Sequence, residues 1–222
     1  MIMLQWQEID TVFLDMDGTL LDLHFDSYFW LEFLPVRYAE INKIDVEAAK
    51  QHIISNIMEE QGTLNWYCFD YWSERFQLPI AELKKEVADK IAYRHSVPEF
   101  LAWLRKSGKR VLIVTNSHRA GVDLKFSRTN LADEVQGVIS SHDYGYPKES
   151  QLFWETLMTH EPFDPQRTLM VDDSLPVLQS AHDFGIKHLL TIDQPDLKLP
   201  PRDMSDCDFM SINDFNEVMV HQ

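Results

Sequence analysis

Apolar positions along the chain fall into two patterns. Five short runs are apolar without alternation: TVFL (11–14), VLIVT (111–115), VQGVIS (135–140), TLMV (168–171) and HLLTI (188–192). Continuous β-branched or leucine-rich runs of this length predict strands covered on both faces, as in a parallel sheet. Helical patterning fills the spaces around the last four. PEFLAWLRKSG (98–108) precedes the second run, with Pro98 in the first turn and Gly108 as the stop. HRAGVDLKFSRTN follows that run, SQLFWETLMTH (150–160) follows the third and LPVLQSAHDFG (175–185) follows the fourth. Strands alternating with helices predict an α/β fold, a Rossmann-like doubly wound parallel sheet.

The first run breaks this rhythm. The stretch between it and PEFLAWL holds no strand pattern. VEAAKQHIISNIMEEQ (46–61) and AELKKEVADKIAYR (81–94) read as helices, and NWYCFDYWSERF (65–76) is compatible with one. The expected organisation is therefore a core domain of residues 1–22 and 95–222 with an all-helical insert of residues 23–94. The junctions fall near Leu21–His24 and Arg94–Val97.

Composition narrows the function classes. Hydrophobic residues make up 45% of the 222, enough for a sizeable core. The formal net charge of −16 argues against a nucleic-acid binder, which needs a basic face. No apolar run reaches the roughly 20 residues of a membrane span. The start, MIMLQWQEID, lacks a charged segment followed by an apolar one, so no signal peptide is expected and the reading is cytoplasmic. The two cysteines, Cys68 and Cys207, form no CxxC and no Cys/His cluster in the sequence, which argues against a zinc site. Cys68, inside an aromatic run, reads as a small buried side chain.

In an open α/β sheet, ligands bind outside the carboxyl ends of the strands. The first run ends in Asp15-Met16-Asp17-Gly18-Thr19 and the second in Thr115-Asn116-Ser117. The third leads to Gly145-Tyr146-Pro147-Lys148, and the fourth ends in Asp172-Asp173-Ser174. Each alone has an ordinary structural reading. DxDG makes a turn, TNS and DDS cap helices, and a lone lysine sits on the surface. Together they place four carboxylates, a hydroxyl, an amide and a lysine on one edge of one sheet. Carboxylates beside a core cost several kcal/mol unless something pairs with them, so a shared ligand is the more economical account.

DMDGT, VTNS, YPKE and VDDS, in that order, resemble the four motifs of the haloacid dehalogenase-like superfamily, and the insert sits where that family carries a helical cap. The resemblance implies a Mg²⁺-dependent phosphatase working through an aspartyl-phosphate. A carboxylate can attack phosphorus, but only if the repulsion between two anions is removed, and a Mg²⁺ ion among hard oxygen ligands removes it. By resemblance, Asp15 is the nucleophile and a metal ligand. Asp17 is the proton donor and acceptor, with its main-chain carbonyl also on the metal. Gly18 and Thr19 make the turn that brings backbone N–H groups to the phosphoryl oxygens. Thr115 and Asn116 hold those oxygens. Lys148 offsets the shared charge, and Asp172 and Asp173 complete the metal site. Mg²⁺ and Lys148 are thus expected to face both Asp15 and Asp17. Asp17 separates this chain from ion-transporting relatives, which carry Thr there, and from dehalogenases, which lack the acid.

The insert's aromatics gather in FDSYFWLEFL (25–34) and LNWYCFDYWSERF (64–76). A helical bundle of this size needs such rings for its own core, yet Trp66 and Tyr67 are candidates to stack on a planar leaving group. Helical geometry would aim one of these neighbours at the site and not both. These stretches, with the DMDGTLLDLHFD start, also resemble bacterial purine 5′-nucleotidases acting on GMP and IMP. The expected substrate is therefore a small phosphorylated metabolite, a purine nucleoside monophosphate. Alternatives are a phosphatase of small sugar or carboxylic acid phosphates, a phosphomutase, and a non-catalytic sensor of a phosphometabolite. The sequence leaves the oligomeric state open.

Overall fold

The computed structural model describes residues 4–219 of the chain. Six strands form one parallel sheet: β1 (Thr11–Leu14), β2 (Arg110–Thr115), β3 (Gly137–Ser140), β4 (Thr168–Val171), β5 (His188–Ile192) and β6 (Met210–Ile212), in the order β3-β2-β1-β4-β5-β6. The α/β class and the five expected strands are observed. β6 was not expected: it has three residues, and of these Ile212 alone is buried, too short a run to signal a strand.

Alternation along each strand builds two cores. Val12, Leu14, Val111, Ile113, Leu169 and Val171 face the helix Val97–Lys106, through its Phe100, Leu101 and Leu104. Phe13, Leu112, Val114 and Met170 face the opposite layer, the helices Gln151–His160 and Leu175–Phe184, through Phe153, Trp154, Val177 and Leu178. With β1 central and both faces covered, the ends of β1, β2 and β4 lie side by side.

Between β1 and Val97 the chain is helical. A third cluster of buried residues, from Phe25 to Val87, includes Phe29, Ile53, Phe69, Trp72 and Phe76. Its first helix runs from His24 to Asn42 and widens over Phe29–Phe33, where the Leu34 N–H donates to the Phe29 carbonyl five residues back. Pro35 follows at once. It lacks an N–H and its ring crowds the preceding turn, which is the physical cause of the widening. This helix was legible in the sequence only as an aromatic stretch.

The helix expected over 81–94 stops at Glu86, and a tight turn, Ala88–Lys90, follows. Pairing with the segment after β1 overrides the helical pattern. The Asp22 N–H donates to the Ala92 carbonyl (2.9 Å), the Arg94 N–H donates to the Leu20 carbonyl (3.0 Å), and Leu21 bridges Tyr93 antiparallel. No helix among the described residues is long and apolar enough to cross a membrane.

Candidate active site

Asp15 follows β1 directly, and its N–H continues the ladder to the Val171 carbonyl (2.9 Å). Asp172 and Asp173 follow β4, and Lys148 sits in the loop after β3. Lys148 is buried, and its ammonium donates to Asp15 Oδ1 (2.5 Å), Asp172 Oδ2 (2.7 Å) and the Val114 carbonyl (2.9 Å). Those three bonds use its full donor capacity. One lysine among three carboxylates leaves the cluster net negative. Burial, aided by the Asp172 charge and opposed by Lys148, pushes the Asp15 carboxyl up to about 7. Burial, together with Asp172 and Asp15, pushes Asp173 well above the usual carboxylate range. Burial works against the Lys148 charge, but Asp15 and Asp172 outweigh it and hold the lysine protonated.

A net negative cluster of this kind can accept a cation. Asp15, Asp172 and Asp173 each offer an oxygen within 4.8 Å of the others. A hard divalent ion takes carboxylate oxygens of this kind, so the residues present fit Mg²⁺. Gly18 makes room for the third carboxylate. Its φ is +84°, and a Cβ placed there would stand 2.8 Å from Asp173 Cγ. The Gly18 N–H itself donates to the Leu21 carbonyl (2.8 Å), and Thr19 is fully buried; neither lines the cavity described below.

Lys148 offsets Asp15, as expected, but not Asp17. The cation facing Asp17 is Lys125, buried on the helix Arg119–Phe126, with Nζ 2.6 Å from Asp17 Oδ1 and 2.8 Å from Asp26 Oδ2. Asp26 also pairs with Lys84, a fully buried lysine ringed by Phe25, Phe29, Trp30 and Phe69 at 4.7–5.4 Å. Burial, joined by Asp26 and Asp15 and opposed by Lys125, pushes Asp17 up to about 6. The four-charge chain Asp17–Lys125–Asp26–Lys84 was not read from the sequence. Apart from Asp17, its members sit singly on three separate helices, and only the fold brings them together.

Burial works against the Asp26 charge, yet Lys125 and Lys84 hold its carboxyl below the usual range. The stabilisation it gives is complete above the unfolded carboxylate's value of about 3.9 and is lost as pH falls toward the folded one. Asp26→Asn strands the Lys84 ammonium among rings. Breaking one partner of a buried pair costs about 3–5 kcal/mol, so urea unfolding at pH 7 should show a loss on that scale. Adding Lys84→Met, which suits an aromatic nest, should recover most of it; no recovery in the double variant would mean the pairing is not what Asp26 contributes.

Thr115 and Asn116, at the end of β2, line the same cavity as the carboxylates. Thr115 is buried, and its Oγ1 accepts from the Ser117 N–H (3.0 Å). The Asn116 side chain braces the lysine loop: its Oδ1 accepts from the Lys148 N–H (2.9 Å) and its Nδ2 donates to Glu149 Oε2 (2.9 Å). Glu149 Oε1 accepts from the Tyr67 hydroxyl (2.8 Å), so the helical segment is tied to the sheet edge at this point. Glu149 went unread in the sequence, although it sits beside Lys148 in the YPKE motif.

Above this floor lies a cavity of about 380 Å³ that takes in Asp15, Asp17, Thr115, Asn116, Lys148, Asp172 and Asp173. Its upper wall is apolar, built by Trp30, Ile54, Met58, Trp66, Tyr67 and Trp72 among others. Trp66 and Tyr67 both line it, because they stand in the tight turn Leu64–Tyr67 and not on the regular helix that would have aimed one away.

No Cys/His cluster lies along the sequence, but the fold brings one together in space. Cys68, His118 and His142 each offer a ligand atom within 4.8 Å of the others. They are far apart in sequence and meet only where the helical segment touches the loops after β2 and β3. Cys68 is partly exposed, not buried. Burial, with His118 close by, pushes the His142 imidazole down to about 4, so it is neutral at neutral pH.

Carboxylates and a buried lysine thus converge at the strand ends of a parallel sheet, the place where α/β folds bind their ligands. The chain belongs to the haloacid dehalogenase-like hydrolases, whose family model matches residues 9–185, and it is an enzyme of the phosphatase kind. It is 38% identical over 195 residues to the GMP/IMP nucleotidase YrfG of Escherichia coli strain K12, covering 88% of each chain. Its fold is similar to that of a HAD phosphatase from Thermococcus onnurineus (TM-score 0.76, 22% identity, 94% and 95% of the two chains). A Xanthobacter autotrophicus L-2-haloacid dehalogenase shares the fold more distantly (TM-score 0.58, 12% identity, 93% and 95% of the two chains).

Proposed function

We propose that the protein hydrolyses purine nucleoside 5′-monophosphates through a phosphoryl group carried on Asp15. The observation that supports this best is a polar floor of Asp15, Asp17, Thr115, Asn116 and Lys148 opening into a cavity walled by Trp66 and other rings. The 38% identity to a GMP/IMP nucleotidase favours the same reading.

Lys148 holds Asp15 Oδ1, leaving the other carboxylate oxygen to attack phosphorus. The nucleoside 5′-oxygen leaves with the proton of Asp17, whose carboxyl burial pushes up to about 6. Asp17 then takes a proton from water as it attacks the phosphoryl-Asp15 bond, and inorganic phosphate leaves. Thr115 and Asn116 position the phosphoryl oxygens through a hydroxyl and an N–H, and Lys148 balances the charge that builds on them. Asp15, Asp172 and Asp173, with the Asp17 carbonyl, would hold Mg²⁺, which supplies positive charge between nucleophile and phosphate when bound. Residues 23–94 act as a cap over the site, hinged where Leu20–Asp22 and Ala92–Arg94 pair.

Tyr67 is anchored through its hydroxyl to Glu149, which leaves Trp66 as the ring to stack on the base. Stacking is worth about 1–3 kcal/mol per base, so kcat/KM for GMP and IMP should exceed that for ribose 5-phosphate by about tenfold or more, and chelation should remove both activities. Trp66→Ala should erase most of the nucleotide preference and spare ribose 5-phosphate. A native enzyme that prefers ribose 5-phosphate would replace the nucleotidase reading with that of a sugar phosphatase.

A further inference from the structure

We propose that Cys68, His118 and His142 form a second metal site, for zinc or a similar borderline divalent cation, whose occupancy clamps the helical segment to the sheet and slows turnover. The three side chains come from three places. Cys68 directly precedes the helix Phe69–Phe76, His118 directly precedes the helix Arg119–Phe126 after β2, and His142 lies in the turn Ser141–Asp143 after β3. One sulfur and two imidazole nitrogens lie within 4.8 Å of one another. A tetrahedral zinc with bonds of about 2.0–2.3 Å holds such atoms roughly 3.3–3.8 Å apart, so small side-chain rotations close the site.

Two of the residues have an ordinary role. Cys68 Sγ accepts from the Tyr71 N–H at 3.5 Å, and His118 Nδ1 accepts from the Ala120 N–H at 3.4 Å. Both are helix caps, and the His118 bond is long enough to be weak. Capping does not account for His142. Its Nε2 is buried without a hydrogen-bond partner, its ring stands 5.0 Å from that of His118 at 82°, and it is neutral. A buried ring nitrogen left bare costs free energy unless something takes the lone pair. Asp70 adds a carboxylate 3.6 Å from His118 Nε2 on the solvent side, so a fourth ligand is at hand from protein or water.

The donor set separates this site from the carboxylates. Sulfur and imidazole favour zinc, cobalt or copper over Mg²⁺, and the aspartates favour Mg²⁺. On binding, the Cys68 thiol gives up its proton and the sulfur–metal bond forms. Cys68 directly follows Trp66 and Tyr67 of the cavity wall, and His118 is two residues beyond Asn116 on its floor. A metal across them fixes wall to floor and opposes the opening needed for product release. The binding half stands whatever the substrate; the clamping half rests on the phosphatase activity.

The test is a cobalt(II) titration of the full chain with saturating Mg²⁺. One equivalent should give the visible bands of four-coordinate cobalt and a near-ultraviolet sulfur-to-cobalt band. Both should vanish in Cys68→Ser and persist in Cys207→Ser. His142→Gln should weaken binding by at least about tenfold. Zinc should then lower kcat in the native enzyme and much less in Cys68→Ser, whose activity with Mg²⁺ alone stays normal. No sulfur band, or a band that survives Cys68→Ser, overturns the site. Equal zinc inhibition of native and Cys68→Ser enzymes places the effect at the carboxylates and overturns the clamp. Because Cys68→Ser keeps a capping side chain, failure to fold does not stand in for either outcome.

Discussion

Asp15→Asn should abolish phosphate release at saturating Mg²⁺ while leaving the fold intact. The amide matches the carboxylate in size but is no nucleophile, and losing a covalent nucleophile removes on the order of 10⁵–10⁶-fold in rate. Stability should move the other way. Burial and Asp172 push the Asp15 carboxyl up to about 7, against 3.8 unfolded. A carboxyl raised on folding contributes stability that is full below the unfolded value and is lost as pH rises through the folded one. Without metal, the native protein should therefore lose stability between about pH 4 and pH 7 from this group, and Asp15→Asn should not. Melting curves across that range, in chelator, read the difference directly. A variant that is both inactive and less stable at pH 8 would mean Asp15 is primarily the structural partner of Lys148. Near-normal phosphate release would rule out a covalent step on Asp15.

How much of this was legible in the sequence follows from where the determinants lie. The strands were legible because both faces of the sheet are buried, so a central strand such as TVFL is continuously apolar. Asp15, Asp17, Asp172 and Asp173 were legible because they sit at the ends of such runs, where chain direction alone fixes their edge. Lys148 was found through its motif, and its three bonds explain why a lysine is buried there. Lys125, Asp26 and Lys84 were not found. Each lies on a helix, and a helix pattern marks a face without naming what the face meets. The Cys68–His118–His142 cluster was missed for the same reason. Its members join through tertiary contact between the helical segment and two loops, and a spacing rule sees only ligands that are close along the chain. The early end of the helix expected over 81–94 is another tertiary effect, because the return of Tyr93 to Leu21 decides it and local propensity does not.

Asp17→Asn should divide two roles that Asp15→Asn cannot. The carboxyl is held 2.6 Å from Lys125, and the amide oxygen of Asn can still face that ammonium, so the site keeps its shape. What is lost is the exchangeable proton. General acid–base help is typically worth about 10²–10⁴-fold, and the loss should follow the leaving group. For a nucleoside monophosphate the departing 5′-alkoxide is strongly basic and needs protonation as it leaves, so the full loss should appear. For an activated aryl phosphate the departing phenolate is stable unprotonated, so formation of the phosphoenzyme should be much less affected. Hydrolysis of that intermediate still needs a base to take a proton from water. Rapid mixing of Asp17→Asn with the aryl ester should therefore give a burst of phenolate of about one equivalent, followed by slow turnover, with the phosphoryl group trapped on Asp15. An alkyl monophosphate should give no burst. Equal losses for both esters, with no burst from either, would show that Asp17 acts on binding or on the metal and not on the proton. In that case Lys125 and Asp26 would be holding a ligand in place, and the acid would have to be sought elsewhere on the cavity wall.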